Sequence, residues 1–180
     1  MVSKILVVID MQNDFIDGAL GTPEAEAIVG AVTEKIRSYA PCCVYATRDT
    51  HGDQYMETQE GRMLPVPHCI KGTKGWEIRP EIAEALGDAA VIFDKPTFGS
   101  TELAMALAER AKTEELEIEV CGLCTDICVV SNALLLKAFM PEVKISADAR
   151  CCAGVTPAKH LAALETMRSC QIVITGVDEG

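Results

Sequence analysis

Aliphatic runs that alternate with helix-patterned segments constrain this chain more than any other feature. Residues 4–10, K-I-L-V-V-I-D, form a continuous apolar run closed by a carboxylate. A run of that kind suits a strand covered on both faces, as in a parallel sheet. Further strands are expected at 42–49, 89–95, 118–123, 143–148 and 171–176. Between them the apolar spacing turns helical. Ala27, Ile28, Ala31, Val32 and Ile36 mark a helix over 23–39, and Pro23 suits its first turn. Residues 79–86, 100–113, 126–140 and 157–170 also read as helices, with Ser100 or Thr101 capping the second of these. The 126–140 helix carries few charges, so it is expected to be buried on most sides, in part against another copy of the chain. Strands alternating with helices imply right-handed crossovers and an α/β fold on a parallel sheet. No repeat or second domain interrupts the pattern, so residues 1–180 are expected to form a single domain.

The bulk numbers exclude several classes. The formal net charge of −11 disfavours nucleic acid, whose phosphates call for a basic face. No apolar run is long enough to span a bilayer, and Met1-Val2-Ser3-Lys4 leads straight into a strand without a cleavage-type site. A cytoplasmic protein without a membrane partner is the expectation. Nine cysteines, an odd number, then argue for free thiols rather than a disulfide framework.

Ligands of parallel sheets bind beyond the carboxyl ends of the strands. Asp10, Asp49, Lys95 and the 124–128 turn all stand at such ends. The stretch from Glu119 to Val130 reads as strand, tight turn and helix start, with Thr125 as cap and Asp126 just inside. Cys128 sits early in that helix, where the local positive potential favours a thiolate. Asp10 is a candidate base for its proton, and Lys95 is a candidate partner for both. The backbone amides of Cys124 and Cys128 are candidates for an oxyanion hole. The plainer alternatives are a structural Asp10–Lys95 ion pair and a Cys128 that only fills space. A second group is Asp49 and His51, two apart at a strand exit, with His68 and Glu60 in the patternless stretch 50–74. Imidazole and carboxylate ligands suit zinc, manganese or iron. His160 has no such companions and reads as structural. Phe15, Trp76 and Phe98 are candidate pocket walls. A rival from another class is a thiol-redox or metal-binding protein built on Cys121, Cys124 and Cys128.

Five ordered motifs carry a resemblance. They are Ile9-Asp10-Met11-Gln12-Asn13-Asp14-Phe15, Thr47-Arg48-Asp49-Thr50-His51, Pro67-His68-Cys69-Ile70-Lys71-Gly72-Thr73, Asp94-Lys95-Pro96-Thr97-Phe98 and Gly122-Leu123-Cys124-Thr125-Asp126-Ile127-Cys128-Val129. Together they resemble the isochorismatase-like cysteine hydrolases, and among these most closely the nicotinamidases. The resemblance implies a three-layer α/β/α sandwich on a six-stranded parallel sheet in the order 3-2-1-4-5-6. It implies an Asp10–Lys95–Cys128 triad and a cis peptide at Leu123–Cys124. It also implies a divalent metal, zinc before manganese or iron, on Asp49, His51 and His68, with Glu60 where some members add a ligand. The activity implied is hydrolysis of a small amide, nicotinamide first, through a thioester; a homo-oligomer is the separate expectation from the 126–140 helix. Other small amides and carbamoyl amides stand next. Thr50 departs from the aromatic that nicotinamidases usually carry between the aspartate and the first histidine.

Overall fold

The computed structural model describes residues 2–177. Its strands are β1 (Ser3–Ile9), β2 (Val44–Asp49), β3 (Val91–Lys95), β4 (Leu116–Leu123), β5 (Lys144–Ala153) and β6 (Val173–Thr175). All pair in parallel, in the order 3-2-1-4-5-6. The helices are α1 (Asn13–Ile16), α2 (Pro23–Arg37), α3 (Gln59–Met63), α4 (Pro80–Leu86), α5 (Thr101–Arg110), α6 (Val130–Phe139) and α7 (Pro157–Ser169). Helix α2 packs on α4, β4 and β5, while α6 packs on α5, α7 and β5, which gives helices on both faces of the sheet.

Burial explains the central strand. Each of Ile5, Leu6, Val7, Val8 and Ile9 is no more than 1% exposed. Burying one such side chain is worth roughly 1.5–3 kcal/mol. Caps then set the helix starts. Thr22, Ser100 and Thr156 each accept a hydrogen bond from a backbone N–H three residues on, at Ala25, Leu103 and Lys159. Ser100 rather than Thr101 is therefore the cap of α5.

The strand order reverses between β1 and β4, and the two run in register from Ser3↔Leu116 to Ile9↔Gly122. At that point the backbones come close. Gly122 has φ 118°, and a Cβ on it would lie 2.1 Å from the Ile9 carbonyl oxygen. Neither the conformation nor the space admits a side chain. Gly122→Ala is expected to lower stability by more than about 3 kcal/mol, read from denaturant unfolding, because backbone strain and a backbone clash add. A loss within about 1 kcal/mol would show that β4 can retreat from β1 at no great cost.

The structure departs from the sequence reading in several places. β5 continues to Ala153 because its register against β4 shifts between Val120 and Gly122, and the extra residues form a bulge that carries Asp148 and Arg150. The stretch 50–74 is not structureless: a 3₁₀ turn at Tyr55–Glu57 and α3 lie within it, with Thr58 capping α3 through Gly61 N–H. Thr125 does not cap the helix after β4. Cys124 takes the cap position of a π-type turn, Thr125–Val129, and the buried Thr125 hydroxyl pairs with His160 Nδ1 at 2.8 Å. Asp126 accepts the Val155 N–H and so pins the turn after β5.

Candidate active site

Asp10 follows β1 directly and has φ 48°, a conformation that non-glycine residues hold only when their surroundings enforce it. The Thr47 hydroxyl donates to its Oδ1 at 2.7 Å. Its Oδ2 stands 2.7 Å from Lys95 Nζ in a fully buried ion pair. Lys95 ends β3, beside Asp49 at the end of β2. Its ammonium also donates to Thr97 O at 3.1 Å and reaches Cys128 Sγ and Asp49 Oδ1, each at 3.4 Å. Cys128 lies in the π-type turn, 4% exposed. Three residues from three strand ends thus converge on one buried ammonium.

The electrostatics differ from the sequence expectation. The Cys128 thiol is held well above its usual range, first by burial and then by the negative Asp10 beside it, against the pull of Lys95. The Asp10 carboxyl is raised too, by burial and by Asp49, with Lys95 opposing. One cation thus faces two buried carboxyls, Asp10 and Asp49, and one buried thiol. Burial thus opposes the thiolate that the turn's local dipole favours.

The second group is assembled as well. Ligand atoms of Asp49, His51, Glu60 and His68 all lie within 4.8 Å of one another. Asp49 Oδ2 is 2.9 Å from His51 Nε2 and 3.5 Å from His68 Nε2; Glu60 Oε1 is 3.7 Å and 3.8 Å from the same nitrogens. His68 Nδ1 lies 2.8 Å from the Val66 carbonyl, which fixes that nitrogen as the protonated one and frees Nε2 as a ligand. Two imidazoles and two carboxylates aimed at one point fit a divalent metal. Burial opposes ionisation of Asp49, yet His51, His68 and Lys95 hold its carboxyl far below the usual carboxylate range. The metal-capable group contains no cysteine, and all nine cysteines are free.

A cavity of about 170 Å³ joins the two groups. Cys124 and Cys128 border it, and so do Asp49, Glu60 and His68. Phe15, Leu20, Met63, Leu64, Phe98 and Ile127 form its walls. The Leu123–Cys124 peptide is cis, where the resemblance put it. Phe15 and Phe98 are wall residues as expected, but Trp76 is not. Its ring lies under the Arg48 guanidinium, 3.9 Å away, and its Nε1 donates to Thr50 Oγ1. Arg48 and Thr50 alternate with Asp49 along the strand end, so they point away from the cavity and draw the indole with them. Several residues went unseen in the sequence. Tyr55, 1% exposed, packs edge-on against His51 and His68. Leu20, Met63, Leu64 and Ile127 carried no signal beyond being apolar. Thr47 and Gln12 lay inside quoted motifs but without a role. His160 stands outside the cavity, on Thr125.

A buried cysteine, carboxylate and ammonium gathered beyond the switch point of a parallel sheet fit the hydrolase class. Comparison narrows the class: the isochorismatase domain matches residues 4–179, and the chain belongs to that family. A nicotinamidase/pyrazinamidase of Mycobacterium tuberculosis is 27% identical over 94% of this chain and 96% of its own length. The crystal structure of the pyrazinamidase of Pyrococcus horikoshii in complex with zinc is 30% identical, with a TM-score of 0.79 over 97% of this chain and 99% of that one. N-carbamoylsarcosine amidase from Thermoplasma acidophilum is 28% identical, with a TM-score of 0.75 over 99% of each chain. Among the described residues no helix is long and apolar enough to cross a membrane.

Proposed function

We propose that the chain hydrolyses nicotinamide to nicotinate and ammonia through a thioester on Cys128. One observation carries the reading: one cavity is lined both by the Cys128 thiol and by Asp49, Glu60 and His68 of the metal-capable quartet. A second cavity of about 540 Å³ shares Glu60, Met63 and Phe98 with this one, which measures about 170 Å³, room for one ring. Its walls are apolar, as a planar heteroaromatic requires.

In this mechanism Asp10 Oδ2 takes the Cys128 proton as the sulfur attacks the amide carbon. Lys95 balances the negative charge as it moves from carboxylate to sulfur. The amides of Cys124 and Cys128 face the oxygen of the tetrahedral intermediate. Asp10 returns its proton to the leaving nitrogen, and ammonia departs. Asp10 then takes a proton from water, whose oxygen attacks the thioester, and the acid and thiol are released. Asp49, His51 and His68, with Glu60 as fourth ligand, would hold a divalent metal that supplies a Lewis-acid contact for the ring nitrogen. Zinc fits the donor set, and the Pyrococcus horikoshii relative was crystallised with it.

The likeness to N-carbamoylsarcosine amidase favours a second reading, hydrolysis of a carbamoyl amide that bears a carboxylate. No lysine or arginine lines the cavity, and Lys95 is already engaged, so no side-chain cation is placed to recognise such a carboxylate. Ammonia release from nicotinamide, pyrazinamide, benzamide and N-carbamoylsarcosine separates the two. Nicotinamide and pyrazinamide should turn over fastest and N-carbamoylsarcosine negligibly. The reverse order would replace the first reading by the second.

A further inference from the structure

The first motif after β1 contains three residues that the hydrolytic steps leave unused, Gln12, Asn13 and Asp14. Gln12 is fully buried. Its Oε1 accepts the Asp49 backbone N–H at 2.7 Å, and its Nε2 donates to the Asp49 carbonyl and to the Trp76 carbonyl, each at 2.8 Å. The sheet explains why. β1 pairs with β2 from Leu6↔Val44 to Val8↔Ala46, and then the main chain leaves the ladder at Asp10, in its left-handed conformation. The end of β2 thereby loses a strand neighbour, yet Asp49 is only 3% exposed and its peptide groups still need partners. A primary amide carries the same donor and acceptor as a peptide. The Gln12 side chain continues the ladder where the backbone has turned away.

What is held this way is the residue shared by both halves of the site. Asp49 Oδ1 faces Lys95 at 3.4 Å, and Oδ2 faces His51 and His68 at 2.9 Å and 3.5 Å. Small rotations of the Asp49 backbone would break one set of contacts or the other. Asp14 supports the opposite side of the group: its Oδ2 accepts the N–H of Cys69, the residue after His68, at 2.8 Å.

We propose that Gln12 is a positioning residue for the metal ligands, clamping the Asp49 peptide so that one carboxylate oxygen serves Lys95 and the other the imidazole side. It touches neither substrate nor metal and acts through Asp49 alone. The proposal rests on the metal-centred reading of the site. Partners that orient metal ligands typically change affinity by ~10–100-fold when removed.

The test measures zinc binding rather than turnover alone. Metal-free native protein, Gln12→Met and Gln12→Glu are titrated with zinc against a chromophoric chelator, and the melting temperature of each metal-free form is recorded. Methionine fills the volume without hydrogen bonds; glutamate keeps the acceptor for Asp49 N–H and loses both donors. Zinc affinity should fall by ~10–100-fold in Gln12→Met and by less in Gln12→Glu, and excess zinc should restore much of the lost turnover. If Gln12→Met does not fold, weakened zinc binding by Gln12→Glu carries the proposal. Affinity within about twofold of native in a folded variant, with only the melting temperature lowered, overturns it and makes Gln12 a fold staple. A native protein that takes up no zinc overturns the metal reading as well, which separates that failure from one confined to Gln12.

Discussion

Cys128→Ala is expected to fold, to bind zinc as the native chain does, and to lose nicotinamide hydrolysis by about a millionfold, the scale on which removing a nucleophile acts. The fold should survive because the change is a small deletion at one end of the cavity. Lys95 keeps Asp10, Thr97 and Asp49 as partners, so no buried cation is orphaned. Cys128→Ser should be nearly as inactive. A hydroxyl is far less acidic than a thiol, and here even the thiol is pushed up by burial and Asp10. If every proton transfer by Asp10 lies on the thioester route, Asp10→Asn combined with Cys128→Ala should be little worse than either change alone. Rapid quenching of native enzyme during turnover should show the acyl mass on the peptide that contains Cys128. A Cys128→Ala protein with more than about a thousandth of native activity would remove the thioester, since binding and oxyanion contacts alone leave far less.

The clustering of Asp10, Lys95 and Cys128 and of the metal-capable group was legible for one reason: parallel strands put their carboxyl ends on one edge, so residues distant in sequence could be assigned to one site. Asp10, Asp49, Lys95 and Cys128 needed only correct strand ends, and Ile9, Asp49, Lys95 and Leu123 are where β1 to β4 stop. Residues whose placement depends on how a loop returns were not legible. Trp76 belongs to such a segment, and its ring went to Arg48 and Thr50 rather than into the cavity. Tyr55 lies in a stretch without apolar period, so nothing marked it as the buried neighbour of both histidines. The thiol's proton affinity was misjudged for a different reason. Sequence placed Cys128 near a helix start, but only the assembled structure shows two carboxylates buried with it. The role of Gln12 required knowing that β1 abandons β2 before β2 ends.

Removing the metal is expected to lower kcat/KM for nicotinamide by about 100-fold or more while leaving benzamide within a few-fold of its starting rate. The cavity walls are mostly apolar, and the metal-capable side chains Asp49, Glu60 and His68 are the polar anchor they offer a ring beside Cys128. A pyridine nitrogen can use that anchor and a phenyl ring cannot. The loss for nicotinamide is then one of orientation, and misplacement by about 1 Å suffices for a loss of that size. His51→Gln should reproduce the effect of the chelator, because His51 holds Asp49 Oδ2 at 2.9 Å and faces Glu60. Added zinc should rescue the stripped native enzyme but not this variant. A competing role exists for the same ion. Asp49 lies on β2, Glu60 on α3 and His68 on the loop beyond, so a metal would also tie that segment together. A mere staple would make chelation lower the melting temperature and depress both amides by the same factor, since a loosened wall serves neither. The ratio of the two losses decides the matter. Equal losses would leave a cysteine amidohydrolase whose metal holds the loop and does not recognise the ring.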